Sequence, residues 1–203
     1  MVTIASVNKE YKVQPIKDLH ILHEVQDTLL NHFRVGCRNY TIFQVGKATI
    51  LRVSDVLKLQ YDDVYKRNGE VRARTTIKEQ KTGKLKRVYF KPVEQDLIEY
   101  RKWLEKNNLH SKWLFPSASN LNVHLTRKQF YKVMQRVGDL LDIDYLGTHT
   151  MRKTGAYMVY QQTGKDIGLV MKLLNHSDQS STLHYLGLDQ ETIEKELDKI
   201  NFN

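Results

Sequence analysis

His149, Arg152, His176 and Tyr185 occur in that order within 37 residues, and together they could do chemistry on a phosphodiester. A guanidinium clamps non-bridging oxygens with a planar fork that lysine cannot imitate. Imidazoles hold or protonate a phosphate, and a phenol can attack it. This set suits cutting and rejoining of DNA with side chains as the only cations and no metal. Upstream, Arg52 follows apolar Ile50-Leu51, where a buried charge with no task is costly. Singly, His149 and His176 read as ordinary core or surface histidines; only their company raises them. Tyr185 competes with Tyr145, Tyr157 and Tyr160, which read as core or interface residues, and His184 reads as a bystander. A zinc site from His149, His176 and His184 is the chemical rival, but the chain lacks close His spacing and a carboxylate on one helix.

The elements that must position these groups are mainly helical. Apolar residues recur near helical spacing over Ile16–Asn31, and Arg38–Lys47 reads as a second helix. A third begins at Ser54-Asp55, residues that suit an N-terminus, and runs to Leu59. Glu70–Gln80 alternates loosely with β-branched residues, Lys81-Thr82-Gly83-Lys84 reads as a turn, and Leu85–Phe90 is strand-like. Together they predict a β-hairpin with a charged tip. Helices follow over Pro92–Asn107 and Thr126–Leu141, with a break at Leu114–Ser117. Met151–Thr163, Ile167–Leu174 and Gln190–Ile200 complete the set. In Thr126–Leu141, Phe130, Met134 and Val137 share one side while Lys128, Lys132 and Arg136 fall four apart on another. That positive side is an ordinary surface, or a face laid against DNA.

A chain of 203 residues is long enough for one domain with a real core. Its single cysteine, Cys37, excludes an internal disulfide and a Cys-based zinc cage. The apolar runs fall well short of the ~20 residues of a membrane span, and the opening MVTIASVNKEYKV lacks the layout of a signal peptide. A cytoplasmic, nucleoid-associated location is expected, with no membrane partner. The formal charge is +9, and Tyr65–Lys91 alone holds ten Lys/Arg against two Glu. Such a concentration points to a polyanion, although a basic run is as often a solvated face.

The motifs fit one family. Thr148–Thr154 resembles the HxxR motif of the tyrosine recombinase (phage integrase) family, Leu173–Ser177 its LGHS motif, and Ser181–Tyr185 its nucleophile segment. Tyr185 lies nine positions after His176, the family's usual spacing. Leu51–Asp55 resembles the GLRxSE motif, and Glu79–Lys84 the hairpin that carries a lysine. Ile50 stands where the family has Gly, and Asn175 where Gly commonly precedes the histidine; Asn tolerates the same left-handed backbone. The resemblance covers roughly residues 16–190, behind a flexible lead-in over 1–15.

It implies a mainly α catalytic domain (α+β) with a small antiparallel sheet. It implies site-specific recombination through a 3′-phosphotyrosyl intermediate, with neither metal nor nucleotide cofactor, as used by integrases of mobile genetic elements. Tyr185 would be the nucleophile, Arg52 and Arg152 the phosphate clamps, and Lys81 the proton donor to the leaving 5′-oxygen. His149 would take the tyrosine proton or hydrogen-bond the phosphate, His176 would donate to a phosphate oxygen, and Asp55 would orient Arg52 or His149. Lys78, Lys84, Lys86, Arg87, Lys128, Lys132 and Arg136 are expected to face double-stranded DNA. The family acts as tetramers on paired sites, with accessory DNA-bending proteins in some systems, and commonly docks a C-terminal element on a neighbour. Residues Gln190–Ile200, with Ile193, Leu197 and Ile200 on one face, suit that element or a fold-back onto their own core. Family members commonly carry an N-terminal clamp domain, for which the chain has little room. It is expected to be a catalytic domain, alone or cut from a longer protein. The alternatives are a type IB topoisomerase and a non-catalytic DNA-binding regulator.

Overall fold

The computed structural model describes residues 13–188 together with 194, 197, 198, 200 and 201. Most of the expected C-terminal helix over Gln190–Ile200 and most of the expected lead-in lie outside these. Of that C-terminal stretch, Leu197 and Ile200 are described and exposed.

Helix α1 (Leu19–Asn31) starts three residues later than apolar periodicity suggests. Asp18 caps it, its carboxylate accepting from the His20 and Ile21 amides at 2.7 and 3.0 Å. Ile16 instead lies in the extended entry and is buried. Its amide donates to Thr154 Oγ1 at 3.0 Å. Helix α2 (Gly36–Thr49) packs between α1 and α7 (Thr150–Gln162). Two short helices follow, α3 (Val53–Leu57) and α4 (Tyr61–Val64). Strands β1 (Arg74–Lys78) and β2 (Leu85–Tyr89) form the expected antiparallel hairpin, shorter than its β-like sequence. Helices α5 (Glu94–Lys106) and α6 (Arg127–Leu141) come next, before α7, α8 (Ile167–Leu174) and α9 (Gln179–Tyr185). Thr126 and Gln129 form a reciprocal cap at the start of α6. No helix among the described residues is long and apolar enough to cross a membrane. The architecture is mainly helical with one two-stranded sheet, as expected.

Two apolar clusters hold these elements. The larger includes Ile42, Phe43, Leu57, Phe90, Phe115 and Phe130. The smaller joins Ile50, Ala156, Val170, Leu174 and Leu186, and it seats α8 and α9 against α7. Ile50 ends α2 in the left-handed region, at φ 53°. That conformation costs a β-branched residue about 1–2 kcal/mol. Burial of its side chain offsets the strain.

The crossing of α2 on α7 is close because of glycine. A Cβ on Gly155 would lie 1.9 Å from the Lys47 carbonyl oxygen, and one on Gly46 would meet the Met151 side chain. Backbone cannot yield as a thioether can. Gly155→Ala is therefore expected to cost about 3 kcal/mol, the upper end of overpacking penalties. A lowered urea midpoint at unchanged slope checks this. An unshifted midpoint would show that the helices do not meet there.

Candidate active site

Arg52 stands at the N-cap of α3, directly after the Ile50 corner. Its Nη1 donates to Glu79 Oε1 at 2.8 Å. Glu79 is only 3% exposed, and its other oxygen accepts from Thr82 Oγ1 at 2.7 Å. Burial pulls the Glu79 carboxyl upward. The Thr82 hydrogen bond and the charges of Arg52, Lys86 and Arg152 outweigh it and hold the group below its ordinary value. Asp55, expected to orient Arg52 or His149, accepts from the Gln80 amide through Oδ1 at 2.8 Å and so ties α3 to the hairpin, while its buried Oδ2 has no hydrogen-bond partner among the described residues.

Helix α7 carries the next groups. Gly147 and Thr150 exchange hydrogen bonds across the turn before it, at 2.9 and 3.1 Å, and set His149 at its N-cap. Arg152 is 3% exposed. Its Nη2 donates to the Leu174 carbonyl at 3.0 Å, and its buried Nη1 has no hydrogen-bond partner among the described residues. Helix α8 ends at Asn175, in the left-handed conformation (φ 58°) expected of it. The His176 amide closes that end on the Met171 carbonyl at 3.0 Å. Two cations thus cover the last carbonyls of α8, because Lys86 Nζ donates to Leu173 O at 3.1 Å.

Helix α9 brings up the phenol. Tyr185 Oη is buried and has no hydrogen bond of good geometry among the described residues. The His176 ring meets the Tyr185 ring edge-on at 5.5 Å. Lys153 Nζ lies 5.1 Å from the ring centroid and the Arg152 guanidinium carbon 6.0 Å. Burial pushes the phenol's pKa above its ordinary value, against the lowering charges of Arg152 and Arg52 and a weak hydrogen-bonding contact with the Arg152 side chain. Burial also holds both histidines below theirs. Arg127, Arg152, Lys153 and Arg52 add to it at His149. At His176 the added charges are those of Arg152, Arg52 and Lys81, against an opposing Asp178. His176 Nδ1 lies 3.1 Å from Thr182 Oγ1, whose own proton goes to the Asp178 carbonyl. This assigns the His176 proton to Nδ1 and leaves Nε2 as the acceptor of the neutral ring.

The sequence matches the phage integrase family over residues 20–192. The chain belongs to that family. It is 34% identical over 181 residues to the probable integrase/recombinase YoeC of Bacillus subtilis (strain 168), covering 89% of this chain and 92% of that protein. It is 29% identical over 188 residues to the tyrosine recombinase XerD of Staphylococcus haemolyticus (strain JCSC1435), covering 89% of this chain but 59% of that one. Its fold resembles that of the XerH site-specific recombinase bound to a palindromic difH substrate. There the TM-score is 0.65 at 21% identity, over 97% of this chain and 56% of that one.

Within this integrase-family fold, Arg52, His149, Arg152, His176 and Tyr185 come together from α3, α7, the end of α8 and α9. Lys81 lies exposed on the hairpin turn, near enough for its charge to bear on His176. His184 is exposed, and among the described residues no three His, Cys, Asp or Glu side chains gather where an ion could sit. Lys78, Lys84, Arg87, Lys128, Lys132 and Arg136 are exposed as expected. Lys86 departs from expectation, because it points inward. Its register places it opposite Ile77, on the face it shares with buried Val88. Burial, with the charges of Arg152 and Arg52, lowers its pKa. Glu79 and Lys153 are further site residues, each inside a motif segment (Glu79–Lys84 and Thr148–Thr154) that singles out a different residue. Glu79 does carry a signal, since it is the one acidic residue from Val71 to Lys91.

Folding keeps His149 and His176 neutral below their ordinary value of 6.5. As pH falls through 6.5 the unfolded chain takes up protons first, so stability present above that value is progressively lost. The thermal midpoint is expected to drop between about pH 7 and pH 5. The drop should shrink in a His149→Gln/His176→Gln double variant. An undiminished acid slope in that variant would assign the effect to other groups.

Proposed function

We propose that this chain is a site-specific DNA recombinase that cuts and rejoins double-stranded DNA through a 3′-phosphotyrosyl intermediate. The observation that carries this is the buried Tyr185 hydroxyl, without a well-formed hydrogen bond among the described residues, beside Arg152 and His176. A buried hydroxyl left so is costly, and here it lies among the cations a phosphodiester needs. In the proposed step Tyr185 Oη attacks phosphorus and its proton passes to His149, which its surroundings keep neutral and able to accept it. Arg52 and Arg152 hold the non-bridging oxygens as negative charge builds on them. The bond from phosphorus to the 5′-oxygen breaks, and Lys81 protonates that oxygen. Neutral His176 offers Nε2 as an acceptor, so its donation to phosphate requires the protonated ring, which the incoming phosphate favours. Attack by a 5′-hydroxyl of another strand reverses the sequence. The phosphotyrosine keeps the energy of the broken bond, so rejoining needs neither metal nor nucleotide.

In this reading residues 16–203 form the catalytic domain. The exposed hairpin residues Lys78, Lys84 and Arg87 and the α6 face of Lys128, Lys132 and Arg136 lie along DNA. Four chains assemble on two paired sites, with the stretch after Gln190 docked on a neighbour. Exposed Leu197 and Ile200 support that docking.

Covalent capture tests the chemistry. Nicked duplexes taken from the DNA flanking the gene are incubated with the protein and quenched in detergent. An adduct is expected with the unchanged protein and none with Tyr185→Phe. The Phe variant should fold with equal or greater stability, because it removes an unsatisfied buried group. Arg152→Lys keeps the charge and loses the fork, and is expected to slow adduct formation about 100-fold. An adduct that persists in Tyr185→Phe would refute the assignment.

Salt dependence tests the surface. Replacing Lys128, Lys132 and Arg136 by Gln should flatten the slope of log affinity against log salt, by roughly 0.9 for each phosphate that is no longer neutralised. An unchanged slope would place DNA elsewhere.

A further inference from the structure

Glu79 is a carboxylate in a site built to receive a phosphate, where its charge opposes binding. Nothing in the proposed chemistry uses it. It is nonetheless among the most completely enclosed charged groups of the protein, and both of its oxygens are engaged. One takes Nη1 of Arg52 and the other the hydroxyl of Thr82. Nη2 and Nε of Arg52 are left for a phosphate oxygen. Thr82 follows Lys81 in the hairpin turn, and the backbone of Glu79 itself closes that turn. Its amide donates to Lys84 O and its carbonyl accepts from the Gly83 amide, both at 2.9 Å. The neighbouring Gln80 amide is held by Asp55 at 2.8 Å, and the Gln80 side chain by Lys58. The base of the turn is therefore bound to α3 and its flanks at Arg52, Asp55 and Lys58. Glu79 is the residue that reaches both a phosphate clamp and the tip.

We propose that Glu79 is a positioning residue, locking the turn that carries Lys81 onto Arg52 so that the proton donor and the phosphate clamp move as one unit. The inference rests on the reading of Lys81 as proton donor. It explains why a negative charge persists among Arg52, Lys86 and Arg152. The charge costs some attraction for DNA and in return holds mutually repelling cations in a fixed arrangement. The linkage also gives the hairpin, whose outer face is basic and exposed, a route to the chemistry. A hairpin displaced from α3 would carry Lys81 away from the leaving oxygen while leaving the other charges in place.

The test compares two nicked duplexes that differ at one atom, an ordinary 5′-oxygen or a 5′-bridging sulfur at the cut bond. A thiolate leaves without a proton. Glu79→Gln keeps the side-chain shape and removes the charge. It is expected to cleave the oxygen substrate about tenfold or more slowly, to bind DNA no more weakly, and to cleave the sulfur substrate near the unchanged rate. Thr82→Val, which cuts the tie from Glu79 to the tip together with the long Lys84 amide bond to the same hydroxyl, should show the same pattern and keeps the test open if Glu79→Gln does not fold. Thermal melting of each variant reports folding. An unchanged rate on oxygen, or an equal loss on both substrates, overturns the proposal. Lys81→Ala run alongside separates the two claims. A deficit there that sulfur repairs, with no deficit in Glu79→Gln, overturns the role of Glu79 alone. A Lys81→Ala deficit that sulfur does not repair overturns the proton-donor reading, and the positioning role with it.

Discussion

The close crossing of α2 and α7 is the constraint on which the site depends. At Gly155 the backbones approach until no Cβ fits between them. One of these helices leads through Ile50 to Arg52, and the other carries His149, Arg152 and Lys153. The separation of the two arginines is thus set by helix packing, not by a flexible loop. Their placement comes from the same core that stabilises the fold, and a phosphate would meet the fork already aimed.

Gathering cations creates the opposite problem. Arg52, Lys86, Arg152 and Lys153 repel one another in surroundings that screen them poorly. The structure meets this in three ways. Glu79 contributes a buried negative charge. The end of α8 contributes carbonyls, with Leu173 and Leu174 accepting from Lys86 and Arg152. The Tyr185 ring contributes a π face to Lys153 and Arg152. Each of these comes from a different part of the chain, so the site is assembled only when the hairpin, α8 and α9 are all seated.

The long helices and the hairpin were legible because their apolar residues repeat at the right period or their turn residues are plain. Helix α6 shows both its apolar side and its Thr126 cap. Helix α9 was not legible as a helix. Its seven residues, QSSTLHY, carry no apolar period, and the Asp178 cap and the smaller apolar cluster hold it in place. Apolar periodicity puts the start of α1 too early because Ile16 is apolar for a different reason, burial in an extended entry. The principal site residues could be read because each sits in a motif of fixed order. Lys86 reads with its charged neighbours by composition, although the alternation of β2 pairs it with Val88. Asp55 meets the Gln80 amide, and Glu79 meets Arg52, across 25 and 27 residues of sequence. Contacts over such separations follow from the fold and from no local pattern.

The corner at Ile50 bears on how the site responds to heat. A glycine there would adopt the left-handed backbone without strain, but it would wander widely in the unfolded chain, and freezing it costs entropy that weighs more as temperature rises. Isoleucine moves the cost into steric strain, which temperature barely changes, and sets against it a side chain buried in the cluster that seats α8 and α9. The junction that orients Arg52 is therefore stiffened by the apolar contacts that hold the helix of Tyr185. Softening of that cluster on warming would loosen Arg52 and the Tyr185 phenol together, so that the site comes apart as one event and not residue by residue.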